Sequence, residues 1–139
     1  MLKRTMLAAL ALCAVATPAH AANVRIYLAL SAGTYAPTGQ VCALDVAQNA
    51  DGIAVLDAAV AKHCIVSYAT VSFGEFGTFV TCIDEVCGNA GTGTIGTYWN
   101  MYENGTSTGY GVDGFVADDN DELGFAYRAF CFEAVCPPV

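Results

Sequence analysis

Six cysteines, Cys42, Cys64, Cys82, Cys87, Cys131 and Cys136, constrain this chain more than any other feature. A seventh, Cys13, lies inside an amino-terminal segment with the anatomy of a secretory leader. Lys3 and Arg4 form its basic start, Met6 to Val15 its apolar run, and Ala19-His20-Ala21 its small-x-small cleavage pattern. The apolar run is shorter than the ~20 residues a membrane-spanning helix needs. Leu10-Ala11-Leu12-Cys13 also imitates a lipobox, but Leu12 stands where a small residue is expected before a lipidated cysteine. The expectation is therefore a signal peptide over residues 1–21 and one domain over 22–139, secreted to an extracellular or periplasmic compartment. An even number of cysteines behind a leader reads as a disulfide framework. Zinc would ask for C-x2-C spacings. Both short spacings here are C-x4-C, and His63 is the one histidine beyond the leader, so no metal site is expected.

Charge narrows the partners. Removing the leader takes Lys3 and Arg4 and no acid, leaving Arg25, Lys62 and Arg128 against 13 acidic side chains. Such a surface repels phosphate backbones and anionic lipid heads, which excludes nucleic acid as an expected partner. Beyond the leader no segment reads as a transmembrane helix.

Periodicity gives the elements. Val24, Ile26, Leu28 and Leu30 alternate with Arg25, Tyr27 and Ala29, which predicts a first strand. Residues 31–40 carry Gly33, Pro37 and Gly39 and read as a turn. Val41 to Val46 predicts a second strand returning beside the first. Asp51 can cap a helix from Ile53 to about His63, with Ile53, Leu56, Ala59 and Val60 as its apolar stripe. Beyond it the chain reads as β: Cys64 to Phe73, Thr78 to Val86, Tyr98 to Glu103, and a last strand through Leu123, Phe125 and Tyr127. Period-two alternation places Trp99 and Met101 on one face of their strand, with Tyr98, Asn100 and Tyr102 on the other. Asn104-Gly105 is the strongest hairpin signal.

Two strands, a helix, then more strands is the order of a β-grasp fold. The predicted class is α+β: a β-grasp-like mixed sheet with one main helix, stabilised by disulfides. A helix running back along its preceding strand brings Cys64 beside Cys42, and Cys82–Cys87 and Cys131–Cys136 can each close a local loop. Six cysteines permit fifteen pairings, so this connectivity is a geometric preference.

Several pieces share an order that resembles a known family. They are G-I-A-V-L-D-A-A from Gly52, G-T-F-V-T-C-I-D-E-V from Gly77, Tyr98-Trp99, Asn104-Gly105, Gly111-Val112-Asp113-Gly114-Phe115, and Asp121, Leu123, Phe125 and Tyr127. Together they cover roughly Asp51 to Tyr127 and are similar to the transcobalamin and intrinsic factor C-terminal-like family, including its stand-alone bacterial members. The resemblance implies a β-grasp-like domain and, in the animal carriers, one wall of a corrinoid site. Those carriers close the site with a large helical barrel, which this sequence lacks. A half-site encloses less ligand surface, which lowers the expected affinity.

Candidate ligand contacts follow. Trp99 and Tyr98 offer flat faces to a macrocycle, although neighbours on a strand point opposite ways. Tyr110 and Phe115 flank the glycine-bearing segment that includes Gly111 and Val112, where backbone could approach a ligand. Asp118-Asp119-Asn120-Asp121-Glu122 invites a calcium reading, but Leu123 stands where an EF-hand loop needs glycine, so a solvated acidic turn is expected. No nucleophile, base and acid constellation can be named, and no free thiol is expected, so no catalytic residue and no cofactor are assigned. Two functions remain at this point. One is a secreted non-catalytic module binding a corrinoid (cobalamin-like) or other flat small molecule. The alternative is an extracellular structural or protein-interaction domain without a small-molecule ligand.

Overall fold

A computed structural model describes residues 20–29, 40–89 and 94–132. Residues 1–19 of the predicted signal peptide, most of the first turn and Cys136 lie outside the described residues.

The first strand, β1 (Ala21–Ala29), buries Ala22, Val24 and Ile26 completely, as its alternation requires. It pairs antiparallel with β2 (Gln40–Ala47). Asp51 then caps α1 (Gly52–Ala61), its carboxylate accepting from the Ala54 amide at 2.9 Å. The helix ends two residues earlier than its composition suggests. Lys62 and His63 still donate to Ala58 and Val60, but His63 turns to φ 59° and directs the chain toward β2. There Cys64 meets Cys42 with a Cα–Cα distance of 6.0 Å, as the strand-then-helix geometry predicts. The buried stripe of α1 is centred on Val55, Leu56 and Ala59, while Ile53 and Val60 sit half-buried at its margin.

The remaining strands divide between two sheets. β3 (Tyr68–Ser72), β4 (Thr78–Ile83) and β5 (Val86–Cys87) form a small antiparallel sheet. β6 (Ile95–Glu103), β7 (Thr106–Ser107) and β8 (Glu122–Cys131) join the first two strands in the order β2-β1-β8-β6-β7. β8 runs parallel to β1 and antiparallel to β6, so the first and last strands lie side by side at the centre. This is a β-grasp arrangement: one helix packed on a mixed five-stranded sheet, with the three-stranded sheet inserted between helix and β6.

The Asn104-Gly105 turn forms as predicted, with φ of 50° and 80°. A second hairpin divides the segment that reads as one strand from Thr78 to Val86. Asp84 and Glu85 turn the chain at φ 48° and 70°, and Cys82 and Cys87 are joined directly across the pair. Asp84 supports the turn by accepting from the amides of Val66 and Ser67. Cys131 is also disulfide-bonded.

The core is one cluster between α1, the small sheet and the inner face of the large one. Val24, Ile26, Leu44, Val55, Leu56, Ile83, Phe115, Leu123 and Phe125 all lie within it. Two glycines permit close approach of backbone. A Cβ on Gly52 would lie 2.5 Å from the Val112 carbonyl oxygen, and one on Gly111 would lie 2.5 Å from the Thr78 amide nitrogen. Both contacts fix the 3-10 turn Val112–Gly114 against its neighbours.

Candidate functional site

Where the small sheet meets β6, two adjoining clefts form one groove. The larger encloses about 350 Å³ between Val71, Phe73, Phe79, Val80 and Thr81 on one side and Thr97, Tyr98, Trp99 and Phe130 on the other. The smaller, about 90 Å³, continues past Asn100 and Met101 toward Thr108, Tyr110, Gly111 and Val112. Phe79, Val80, Tyr98 and Trp99 belong to both.

The groove is strongly aromatic. Phe73 is 57% exposed and stacks edge-on against Phe79 at 5.7 Å between ring centres. Tyr98, 42% exposed, lies 6.0 Å from Phe130. Alternation explains the exposure of Tyr98: its neighbour Trp99 takes the inward position, and Tyr98 is left on the opposite face. Large aromatics held open along a concave surface make this groove the candidate site.

The sequence-predicted contacts fall into two groups. Tyr98, Tyr110, Gly111 and Val112 are brought together on the groove wall with Trp99. The Trp99 ring, however, is core: the residue is 5% exposed, its indole N–H donates to the Val86 carbonyl at 2.8 Å, and it packs on Tyr127 at 5.3 Å. Phe115 is fully buried among the helix-side residues and is absent from the wall of either cleft. Phe73, Phe79 and Phe130 are wall residues that the sequence reading did not single out. Their shared feature in sequence is an aromatic at the end of a predicted strand or close to a cysteine, which becomes informative only when the small sheet is seen to abut β6.

Acidic groups rim the smaller cleft. The Tyr110 hydroxyl donates to Glu103, and this hydrogen bond, with burial second, pushes its pKa up to about 12. Asp113 accepts from the Thr78 amide at 2.8 Å, and that bond holds its carboxyl below the ordinary range. Outside the groove, burial and a 2.6 Å hydrogen bond to Asp57 push Tyr68 to about 12.

The acidic turn before β8 serves the fold. Asp118 accepts from Gln48 at 2.9 Å, which lowers its pKa; Asp119 accepts from the Asn23 amide at 3.1 Å; and Asp121 accepts from Asn104 at 2.9 Å. Arg25 closes the cluster through a 3.1 Å ion pair with Glu122. These carboxylates tie β1, the β2–α1 turn and the β6–β7 hairpin together. Among the described residues no three His, Cys, Asp or Glu side chains are grouped to hold a metal ion.

No protein-family model matches the chain, and no curated protein matches it in sequence. Solved structures do. Haptocorrin in complex with Cbi aligns at a TM-score of 0.62 and 15% identity, over 82% of this chain and 26% of haptocorrin. The chain thus spans about a quarter of that protein. A candidate metal-binding protein from Ruminococcus gnavus aligns at a TM-score of 0.51 and 13% identity, over 77% of this chain and 96% of that one. At these identities the likeness establishes a shared fold.

Proposed function

We propose that this chain is a secreted, non-catalytic binding module of the transcobalamin C-terminal-like kind, whose aromatic groove receives the flat apolar face or edge of a small molecule. One observation carries the reading: Phe73, Tyr98 and Phe130 stand partly exposed along a concavity of about 350 Å³. That volume lies at the small end of the range for small-molecule sites, about 300–1,000 Å³, and the walls are hydrocarbon and aromatic, as such sites usually are. A corrinoid is the first ligand to test, because the fold is shared with a protein solved in complex with Cbi. A macrocycle of that size would overhang the groove, so this domain alone grips part of it and binds weakly. Disulfides and the leader-like amino terminus support an extracellular or periplasmic site of action.

The test is titration of the oxidised mature chain with cobinamide and cobalamin, followed by calorimetry and by amide shifts. The expected dissociation constant is on the order of micromolar or weaker, since each tenfold in affinity needs ~1.4 kcal/mol and much of the enclosure is missing. The absence of heat and of shifts at millimolar corrinoid would reject this ligand class. A second reading, an extracellular protein-interaction module, draws on Phe76 and Val66, which are 78% and 80% exposed outside the groove wall. A silent corrinoid titration would favour it.

A further inference from the structure

Four consecutive residues of β6, Tyr98 to Met101, line the smaller cleft, although neighbours on a strand point to opposite faces. A cleft touched by all four runs along the strand's edge. The hydrogen bonds identify which backbone groups face that edge. Thr97 exchanges two bonds with Asn89, at 2.7 and 2.9 Å, on the side away from β8. Four residues further on, the Met101 carbonyl accepts from the Thr108 amide at 3.0 Å on the same side. In an antiparallel strand alternate residues aim both backbone groups at the same edge. Trp99, midway between them, therefore directs its N–H and C=O into the groove, and among the described residues nothing pairs with either. Its neighbours Tyr98 and Asn100 are turned the other way, into the ladder with β8.

An adjacent donor and acceptor on an apolar floor is a specific request. Backbone polar groups removed from water without a partner cost free energy, and a ligand that supplies both partners recovers it. The complement of one N–H and one C=O at strand spacing is an amide, which presents its own C=O and N–H in one plane. A carboxylate could accept from the N–H but has nothing to donate. It would also approach Glu103 and Asp113 on a chain of net charge −8. We infer that the groove selects flat apolar molecules carrying a neutral carboxamide, which pairs with the free edge of β6 at Trp99 while the apolar body lies against Phe73, Phe79 and Tyr98. This inference rests on the groove being the binding site, and it adds the polar group that gives the site its selectivity.

Three probes of one shape separate the two claims: 2-naphthamide, methyl 2-naphthoate and 2-naphthoate, each titrated into the oxidised mature chain by two-dimensional amide NMR. The expected result is binding of the carboxamide about tenfold more tightly than the ester or the acid, as one net hydrogen-bond pair predicts. The Trp99 backbone amide should move furthest downfield, and at the lowest probe concentration, with the carboxamide, while its indole N–H, held by Val86, stays in place. Equal affinity for all three, or a stationary Trp99 amide while signals of Phe73 and Tyr98 shift, would overturn the carboxamide inference and leave the groove standing as an apolar site. No shift at Phe73 or Tyr98 with any probe would overturn both.

Discussion

The indole N–H of Trp99 donates to the backbone carbonyl of Val86 at 2.8 Å, joining the large sheet to the hairpin of the small one. The hydroxyl of Tyr127 adds a second tie, donating to the Cys87 carbonyl at 3.0 Å from the adjoining strand. The hairpin is thus a latch whose carbonyls are claimed by aromatic side chains of β6 and β8, and one wall of the groove depends on it. This is the reason a residue that looks like a ligand platform in sequence is structural in the fold.

Replacing Trp99 by Phe keeps an aromatic body but removes the indole donor to the Val86 carbonyl. Loss of that part-buried hydrogen bond costs about 0.5–1.5 kcal/mol, and the smaller ring adds a packing defect. Trp99→Phe should lower the urea midpoint accordingly, with an unchanged m-value. A midpoint within error of the parent would mean that the Val86 contact contributes nothing to stability.

The two described disulfides should differ in worth. Loop-closure entropy grows with the span closed, so the Cys42–Cys64 link, with a separation of 22, is expected to contribute about 3 kcal/mol, and the Cys82–Cys87 link, with a separation of 5, about 2 kcal/mol. Paired Cys→Ser variants report this in equilibrium unfolding. The shorter link has a local effect as well, because it closes a turn made by Asp84 and Glu85 in the left-handed region, which non-glycine residues enter reluctantly. Loss of Cys82–Cys87 should therefore loosen the latch and shift the Trp99 indole resonance, whereas loss of Cys42–Cys64 should leave it in place.

That turn also marks where sequence and structure part. I-D-E-V has neither Asn nor Gly at its centre, so turn chemistry gives no signal, and the segment from Thr78 reads as one strand. The C-x4-C spacing contained the answer: cysteines facing each other across two antiparallel strands leave room for Ile83 to pair with Val86 and for a two-residue turn between. Local rules were sufficient elsewhere. Asn104-Gly105 forms its hairpin, Asp51 caps the helix, Cys42 meets Cys64, and Trp99 shares a buried face with Met101. The groove itself was half legible. Alternation exposes Tyr98 and buries its neighbour, but Phe73 and Phe130 lie 57 positions apart and meet only through the packing of one sheet on the other.

Two tyrosines should titrate late. Tyr110 is held protonated by its hydrogen bond to Glu103, and Tyr68 by burial and Asp57, each with a pKa of about 12 against an ordinary value of 10.0. A raised folded-state pKa means that the stability these phenols contribute is complete below pH ~10 and is lost as pH rises from there through ~12. Tyrosinate absorbance should show two phenols ionising near pH 12. Glu103→Ala should bring Tyr110 back toward 10 while leaving Tyr68 late; no change in Tyr110 would remove Glu103 as the cause.

Binding and folding can be separated at the groove because its exposed and buried aromatics alternate along one strand. Tyr98 and Phe73 are 42% and 57% exposed, so truncating them removes little core. Phe73→Ser with Tyr98→Ser should leave the unfolding free energy within about 1 kcal/mol of the parent, as expected for surface positions. The same pair should weaken any flat ligand about tenfold or more, since base-like rings lose ~1–3 kcal/mol when an aromatic platform is removed. Trp99→Phe should behave inversely, with a large loss of stability and a smaller loss of affinity measured well below its unfolding midpoint. Affinity that survives the double serine variant unchanged would move the site away from this groove, and affinity that falls only with Trp99 would place it under the latch.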